Sequence, residues 1–127
     1  MQPIQLFELA SSQSHWLTVR QSVVAGNIAN ANTPGYASRD VAPFEAVLDQ
    51  TKAPVRMAAT HPGHIHEDPM RGAVRAGSFG DVDVQPSGNS VNLPEEMTKT
   101  GEIKRQYELN TGMVKAFHRM MLLTVRR

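Results

Sequence analysis

The chain has 127 residues, 40% of them hydrophobic and 6% aromatic, with 13 Lys and Arg against 12 Asp and Glu and a formal net charge of +1. That length suggests one domain, and a near-neutral balance without a basic stripe gives nucleic acid or an anionic membrane surface little to hold. The absence of cysteine excludes disulfides and thiolate chemistry, and no apolar run approaches the roughly 20 residues of a membrane-spanning helix. The first residues, Met1-Gln2-Pro3-Ile4-Gln5-Leu6-Phe7-Glu8, lack the basic start and unbroken apolar core of a secretory signal. If the protein works outside the cytoplasm, a route that cleaves no signal is expected.

The first predicted element is a long helix from about Pro3 to Asn32. Leu6, Leu9, Trp16, Val23 and Asn30 follow a 3.5-residue spacing, with Gln13, Arg20 and Asn27 in the intervening slots. A second stripe runs through Ala10, Leu17, Val24 and Ile28, so two faces are ready for burial. Only Glu8 and Arg20 are charged among the first 38 residues. An ordinary surface helix shows water a charged face, and this one largely does not.

Next comes a stretch of three asparagines, Asn27, Asn30 and Asn32, before Thr33-Pro34-Gly35-Tyr36. Pro34-Gly35 suits a type II turn, with Pro at the second position and Gly supplying the positive φ at the third. From there to Ser90 the chain is rich in Pro, Gly and His. It reads as an extended connector with short strands at residues 54–57, 72–75 and 81–84. The units are therefore read as 1–33, the first helix; 34–90, the turn and irregular insert; and 91–127, the last helix.

Asn92-Leu93-Pro94-Glu95 is a start signal, with a capping Asn, an early Pro and an acid three residues on. In the helix it opens, acids come early (Glu95, Glu96, Glu102) and bases late (Lys115, Arg119, Arg126, Arg127), an order that complements the helix dipole. Ile103, Tyr107, Asn110, Val114, Phe117, Met121 and Thr124 hold the 3.5-residue register, and Met97, Met113 and Met120 add soft apolar bulk. The expected fold is mainly α: two long terminal helices in an antiparallel, coiled-coil-like pair, with a short irregular β-containing insert. Two helices bury only the stripes that face each other. Each Leu- or Val-sized side chain left in water forfeits about 1.5–3 kcal/mol, so the second stripe of the first helix is expected to find its cover on other chains.

Three imidazoles and two carboxylates fall in residues 60–68, at His61, His64, His66, Glu67 and Asp68. They could hold Zn²⁺, but Pro62 and Gly63 break any helix that would align them, which favours a polar loop braced by His61 and His64. No nucleophile elbow, phosphate loop or dinucleotide glycine pattern is present. Glu95-Glu96 and Asp81/Asp83 read as ordinary surface acids, and no catalytic residue, cofactor or metal is expected. Asn32 and Asn30 suit helix-end capping. Asn27 and Asn110, at seam positions, suit register selection by buried amides.

Residues 26–36 resemble the signature that ends the N-terminal helix in the flagellar basal-body rod and hook family. Asn27-Ile28-Ala29-Asn30 and Asn32-Thr33-Pro34-Gly35-Tyr36 match its pattern without a departure. Gly88-Asn89-Ser90-Val91-Asn92-Leu93 and Glu95-Glu96-Met97, followed by Tyr107, are similar to that family's entry to its C-terminal helix. Residues 60–65 are similar to a short His motif of a proximal rod subunit, and the small insert points the same way. The resemblance implies a structural subunit that polymerises with other rod proteins and copies of itself into the drive shaft between the membrane ring and the hook. It implies delivery by the flagellar export apparatus without a cleaved signal, and contact with the basal-body ring. The assembly interface it implies comprises Leu6, Leu9, Trp16, Val23, Asn27, Ile28, Asn30, Ile103, Tyr107, Asn110, Val114, Phe117 and Met121. The turn signature comprises Asn32, Thr33, Pro34, Gly35 and Tyr36. The competing readings are another small proximal rod subunit of the family, a metalloprotein using His61, His64 and His66, and a helical adaptor or chaperone with a Met-rich groove.

Overall fold

The computed structural model describes residues 3–51, 61, 63, 74–78 and 83–125, with Pro3, Ile4 and Thr51 described by backbone alone. They form helix α1 (Pro3–Ala29), strand β1 (Asp40–Val41), helix α2 (Phe44–Thr51), strand β2 (Ala76–Gly77) and helix α3 (Leu93–Val125). The fold is mainly α, as expected.

The two long helices run antiparallel. Asn27 meets Glu96, Ser14 meets Asn110, and Phe7 meets Phe117 edge-on with ring centroids 5.7 Å apart. From the first of these contacts to the last, α1 retreats by 20 residues (27 to 7) while α3 advances by 21 (96 to 117). One unbroken register therefore spans nearly the whole of α1.

The core corrects one expectation. Trp16, Leu17 and Val24 of α1 are buried together with Ile103 of α3, Val41 of β1, Val47 of α2 and Val74. Val19, Val23, Ile28, Ala42 and Phe44 pack around them. Both stripes of α1 are thus dried over its C-terminal half, and the second is covered by the chain's own insert rather than by another chain. Trp16 is held in place by donating its indole N–H to the carbonyl of Ala42 at 2.8 Å and by ring contact with Phe44.

The insert also differs from the expected run of strands. α2 stands where a connector was expected. Phe44, Val47 and Leu48 carry helical spacing behind Pro43, with Glu45 in the first turn. β1 pairs antiparallel with β2, Asp40 opposite Gly77 and Val41 opposite Ala76. The strand expected at residues 54–57 lies outside the described residues, as do 72, 73, 81 and 82. Val74 and Arg75 precede β2, and Asp83 and Val84 have no regular structure.

α1 ends at Ala29, three residues before the predicted end. Asn30 turns its side chain back to bond the carbonyl of Gly26 at 2.8 Å, a local competition with the helical ladder that Asn favours. The Pro34-Gly35 turn closes as its spacing predicts. Tyr36 N–H reaches the carbonyl of Thr33 at 3.3 Å, and Gly35 takes a φ of 71°.

Candidate functional site

The asparagine-rich turn and the start of α3 are locked together by polar groups out of water. Asn27 is fully buried. Its amide donates to the carbonyl of Arg39 at 2.6 Å and to Glu96 Oε2 at 3.0 Å, while its Oδ1 accepts the Arg39 N–H at 3.0 Å and lies 3.5 Å from the Tyr36 hydroxyl. Glu96, read from the sequence as a surface acid, is only 2% exposed. Its buried carboxylate also takes the Lys99 ammonium at 2.9 Å, so the charge is both paired and hydrogen-bonded, as burial requires. The Asn27 side chain thus pins α1 both to the backbone of Arg39 and to the Glu96 side chain of α3 at this end.

Lys99 extends the network. It bridges Glu95 at 3.1 Å and Asp40 at 3.6 Å, and Asp40 in turn takes the Arg20 guanidinium through two bonds at 3.1 and 3.2 Å. The Arg20 guanidinium sits 5.4 Å from the centre of the Trp16 ring. Burial alone would raise the Asp40 pKa; the bonds from Arg20 and the Val41 N–H and the charges of Arg20 and Lys99 more than offset it and hold the carboxyl below its ordinary value. Burial would likewise lower Lys99, but the carboxylates of Glu96, Glu95 and Asp40 raise it above its ordinary value.

A second lock closes the turn. Asn89 is 1% exposed, and its amide reaches the carbonyls of Asn30, Ala31 and Thr33 at 2.8–2.9 Å. These carbonyls belong to the turn that follows α1, and the Asn89 amide adds to the backbone bonds that those of Asn30 and Thr33 already accept. Gly88, with a φ of 79°, lies so close to Gly35 that an added Cβ would stand 3.3 Å from its Cα. Gly35 N–H bonds the carbonyl of Ser87, and Ser90 N–H that of Tyr36, both at 3.0 Å. Two glycine turns distant in sequence are thereby clasped backbone to backbone.

Among the residues singled out from the sequence, Trp16, Asn27, Ile103 and Asn110 are buried within the chain. Asn110 donates to the carbonyl of Ala10 and to the Ser14 hydroxyl, both at 2.8 Å. Leu6, Leu9, Val23, Ile28, Asn30, Val114 and Phe117 are half-buried, and Asn32, Thr33, Pro34 and Gly35 are exposed. Tyr107 is 49% exposed and Met121 37%. They belong to a larger set of uncovered apolar side chains on α3 with Leu93, Met97, Leu109, Met113, Met120, Leu122, Leu123 and Val125, densest in its last turns, where they point round the helix. The roles of Glu96, Asn89, Asp40 and Lys99 were missed because the partners that draw them together, Asn27, the turn carbonyls and Arg20 with the insert, lie far off in sequence; the local signal available was the spacing of Glu95 and Glu96 from Lys99 on one helix.

His64 and His66 lie outside the described residues. His61 accepts the Gly63 N–H on its own Nδ1 at 3.1 Å, bracing its turn. Among the described residues no group of three His, Asp or Glu stands close enough to hold a metal, and no helix is long and apolar enough to cross a membrane.

Comparison with known proteins touches both the turn and the chain as a whole. The family model described as flagella basal body rod protein matches residues 17–36. The flagellar basal body rod protein FlgB of Agrobacterium fabrum is 61% identical over an alignment of 130 residues, covering 100% of this chain and 97% of that protein. The FlgB of Bacillus subtilis is 30% identical over 105 residues, covering 83% of this chain and 78% of its own. That of Escherichia coli is 31% identical over 99 residues, covering 72% and 71%.

Proposed function

The chain belongs to the flagellar basal body rod proteins, the family of FlgB, as a structural subunit of the basal body and not an enzyme; from that premise we propose that it enters the rod by packing the uncovered apolar side chains of α3 against other rod proteins and copies of itself. What supports this is the uneven covering of the helix pair. Near Trp16 and Asn27 the chain itself buries Trp16, Leu17, Val24 and Ile103 and half-covers Val19, Val23 and Ile28. Towards the other end Leu109, Met113, Met120, Leu122 and Leu123 are each more than half exposed. A set of that size costs solubility unless a partner covers it, and methionines suit a surface that must fit several neighbours.

In this reading the seam residues Leu6, Leu9, Val23, Ile28, Val114 and Phe117 complete their burial in the assembly, and Tyr107 and Met121 become contacts. Asn27 and Asn110 set the register of the pair that is presented. Order at the far end of the pair is coupled to binding. The chain reaches the rod through the flagellar export apparatus, and its other neighbours include the basal-body ring.

The test is a triple variant, Leu109→Lys, Met113→Lys and Leu122→Lys, scored in purified basal bodies and in the secreted fraction. Its side chains touch nothing in the core, so export continues while incorporation falls at least about tenfold, the loss expected when anchors worth more than 1 kcal/mol are removed. Normal incorporation of this variant would refute the assignment of the interface.

A further inference from the structure

The two ends of the helix pair carry exposed apolar side chains beside opposite charge. At the far end, Phe7, Val114 and Leu122 wall a shallow groove of about 410 Å³ rimmed by Lys115, His118 and Arg119. α3 has no acidic residue after Glu108. Among the described residues neither Lys115 nor Arg119 has an ion-pair partner.

At the locked end, an open cleft of about 950 Å³ is lined by five carboxylates, Asp40, Glu45, Asp83, Glu95 and Glu96, against the cations Arg20, Arg39 and Lys99. Arg20 and Lys99 are already engaged with Asp40, Glu95 and Glu96. Glu45 and Asp83 are exposed and have no ion-pair partner among the described residues. Beside Asp83 stands Val84, 66% exposed. It is carried on a turn closed by the bonds Gln85 N–H to Asn89 carbonyl and Gly88 N–H to Gln85 carbonyl, both 2.8 Å.

An apolar groove with a cationic rim fits an apolar side chain flanked by carboxylates, and Asp83 with Val84 is such a knob. It is beyond reach within one molecule. Glu95, which lines the cleft with Asp83, and Arg119 are 24 residues apart on α3, about 36 Å at 1.5 Å per residue. We infer that the groove of one copy receives the Val84 knob of a second copy, with Lys115 and Arg119 facing Asp83 and Glu45. The like charge on each end disfavours the symmetric pairings, groove on groove or knob on knob. A head-to-tail contact of this kind does not close on itself and generates an open series of subunits. The inference rests on the rod assignment and names the contact that joins consecutive copies.

The test places a photo-crosslinking benzoylphenylalanine at His118 of the full chain, irradiates purified basal bodies and maps the adduct by mass spectrometry. The expected product is a homodimer linked near residues 83–84. An adduct solely to a different protein, or to another part of this chain, overturns the inference. Charge exchange gives an independent readout. Arg119→Glu is expected to lower incorporation into the rod about tenfold and Asp83→Arg in the same chain to restore it, as reversed pairs at close range do; failure to restore contradicts the contact. The chain carrying benzoylphenylalanine at position 118 found in basal bodies with a foreign adduct sinks only this contact. Wild-type chain absent from basal bodies sinks the rod assignment itself.

Discussion

The locked end and the far end of the helix pair use the same two helices and hold them by different means. At the locked end, α1 meets α3 through Asn27, Glu96 and Lys99, and the insert lays Val41, Phe44 and Val47 over the remaining face. At the far end, Phe7 meets Phe117 and Asn110 meets Ala10 and Ser14, and the described core residues of the insert pack around Trp16 and Val24 instead. Most of the apolar bulk there stays in water. The difference teaches that the asparagine-rich turn is an internal fastening: its polar side chains are spent on holding α1, the insert and α3 together. On the proposed reading, contact with other subunits is made at the other end.

The sharpest way to break this contrast is Asn27→Leu. The substitution removes one of the two donors on the buried Glu96 carboxylate, with Lys99 remaining, and takes the side-chain partner from the Arg39 N–H and carbonyl. It is expected to cost about 3 kcal/mol, the upper range for losing a hydrogen bond to a charged group and leaving a buried donor unsatisfied, in urea melts followed by Trp16 fluorescence. Asn30→Leu, which loses only bonds within its own turn, is expected to cost about 1 kcal/mol. Equal effects from the two would show that the buried network does not fasten the end. Asn89→Ala ranks between them. It removes the amide bonds to the turn carbonyls of Asn30, Ala31 and Thr33 and the acceptor of the buried Val91 N–H, an expected loss of about 2 kcal/mol by the same melts.

Acid and alkali separate the two ends in a different way. Asp40 is held below its ordinary value, so its contribution is present above the unfolded pKa of about 3.9 and disappears as pH falls through the lower folded value. Lys99 is held above its ordinary value, so its contribution is present below about 10.4 and disappears as pH rises through the higher folded value. Trp16 fluorescence should therefore report a loss of stability below about pH 4 and above about pH 10.4, and Asp40→Asn should flatten the acid limb and, by removing one of the three carboxylates that raise Lys99, weaken the alkaline limb to a lesser degree. An unchanged acid limb in that variant would remove Asp40 from the fastening. The smallest effect is expected at Gly112, on the outside of α3, where an added Cβ meets nothing within 4 Å. Gly112→Ala should stabilise the isolated chain by about 0.5–1 kcal/mol through helix propensity. No gain on melting would mean that the surrounding turns of α3 are not helical in solution.

The two long helices were legible because their apolar positions recur at 3.5 residues and their ends carry local signals: Asn92 with Pro94 and Glu95, and the Pro34-Gly35 turn. Seam amides at Asn27 and Asn110 were legible for the same reason. The helix α2 was not, since Phe44, Val47 and Leu48 give little more than one turn of periodicity inside a stretch otherwise rich in Pro, Gly and His. Glu96 was misread because its burial depends on an amide 69 residues away and on Lys99, and a pair of adjacent glutamates looks the same on a surface. Asn89 was placed in the right motif but without its task, which is set by carbonyls 56–59 residues upstream. The cover over α1 was assigned to other chains because short-range pattern cannot show an insert folding back.

Hydrogen exchange of the isolated full chain, read by mass spectrometry at peptide resolution, addresses the central contrast most directly. Strong protection is predicted for residues 16–29 and 96–110, where the network and the core lie, with fast exchange at residues 5–9 and 113–125. Uniform protection along both helices in a dilute monomer would contradict the account, because the far end would then be complete without neighbours.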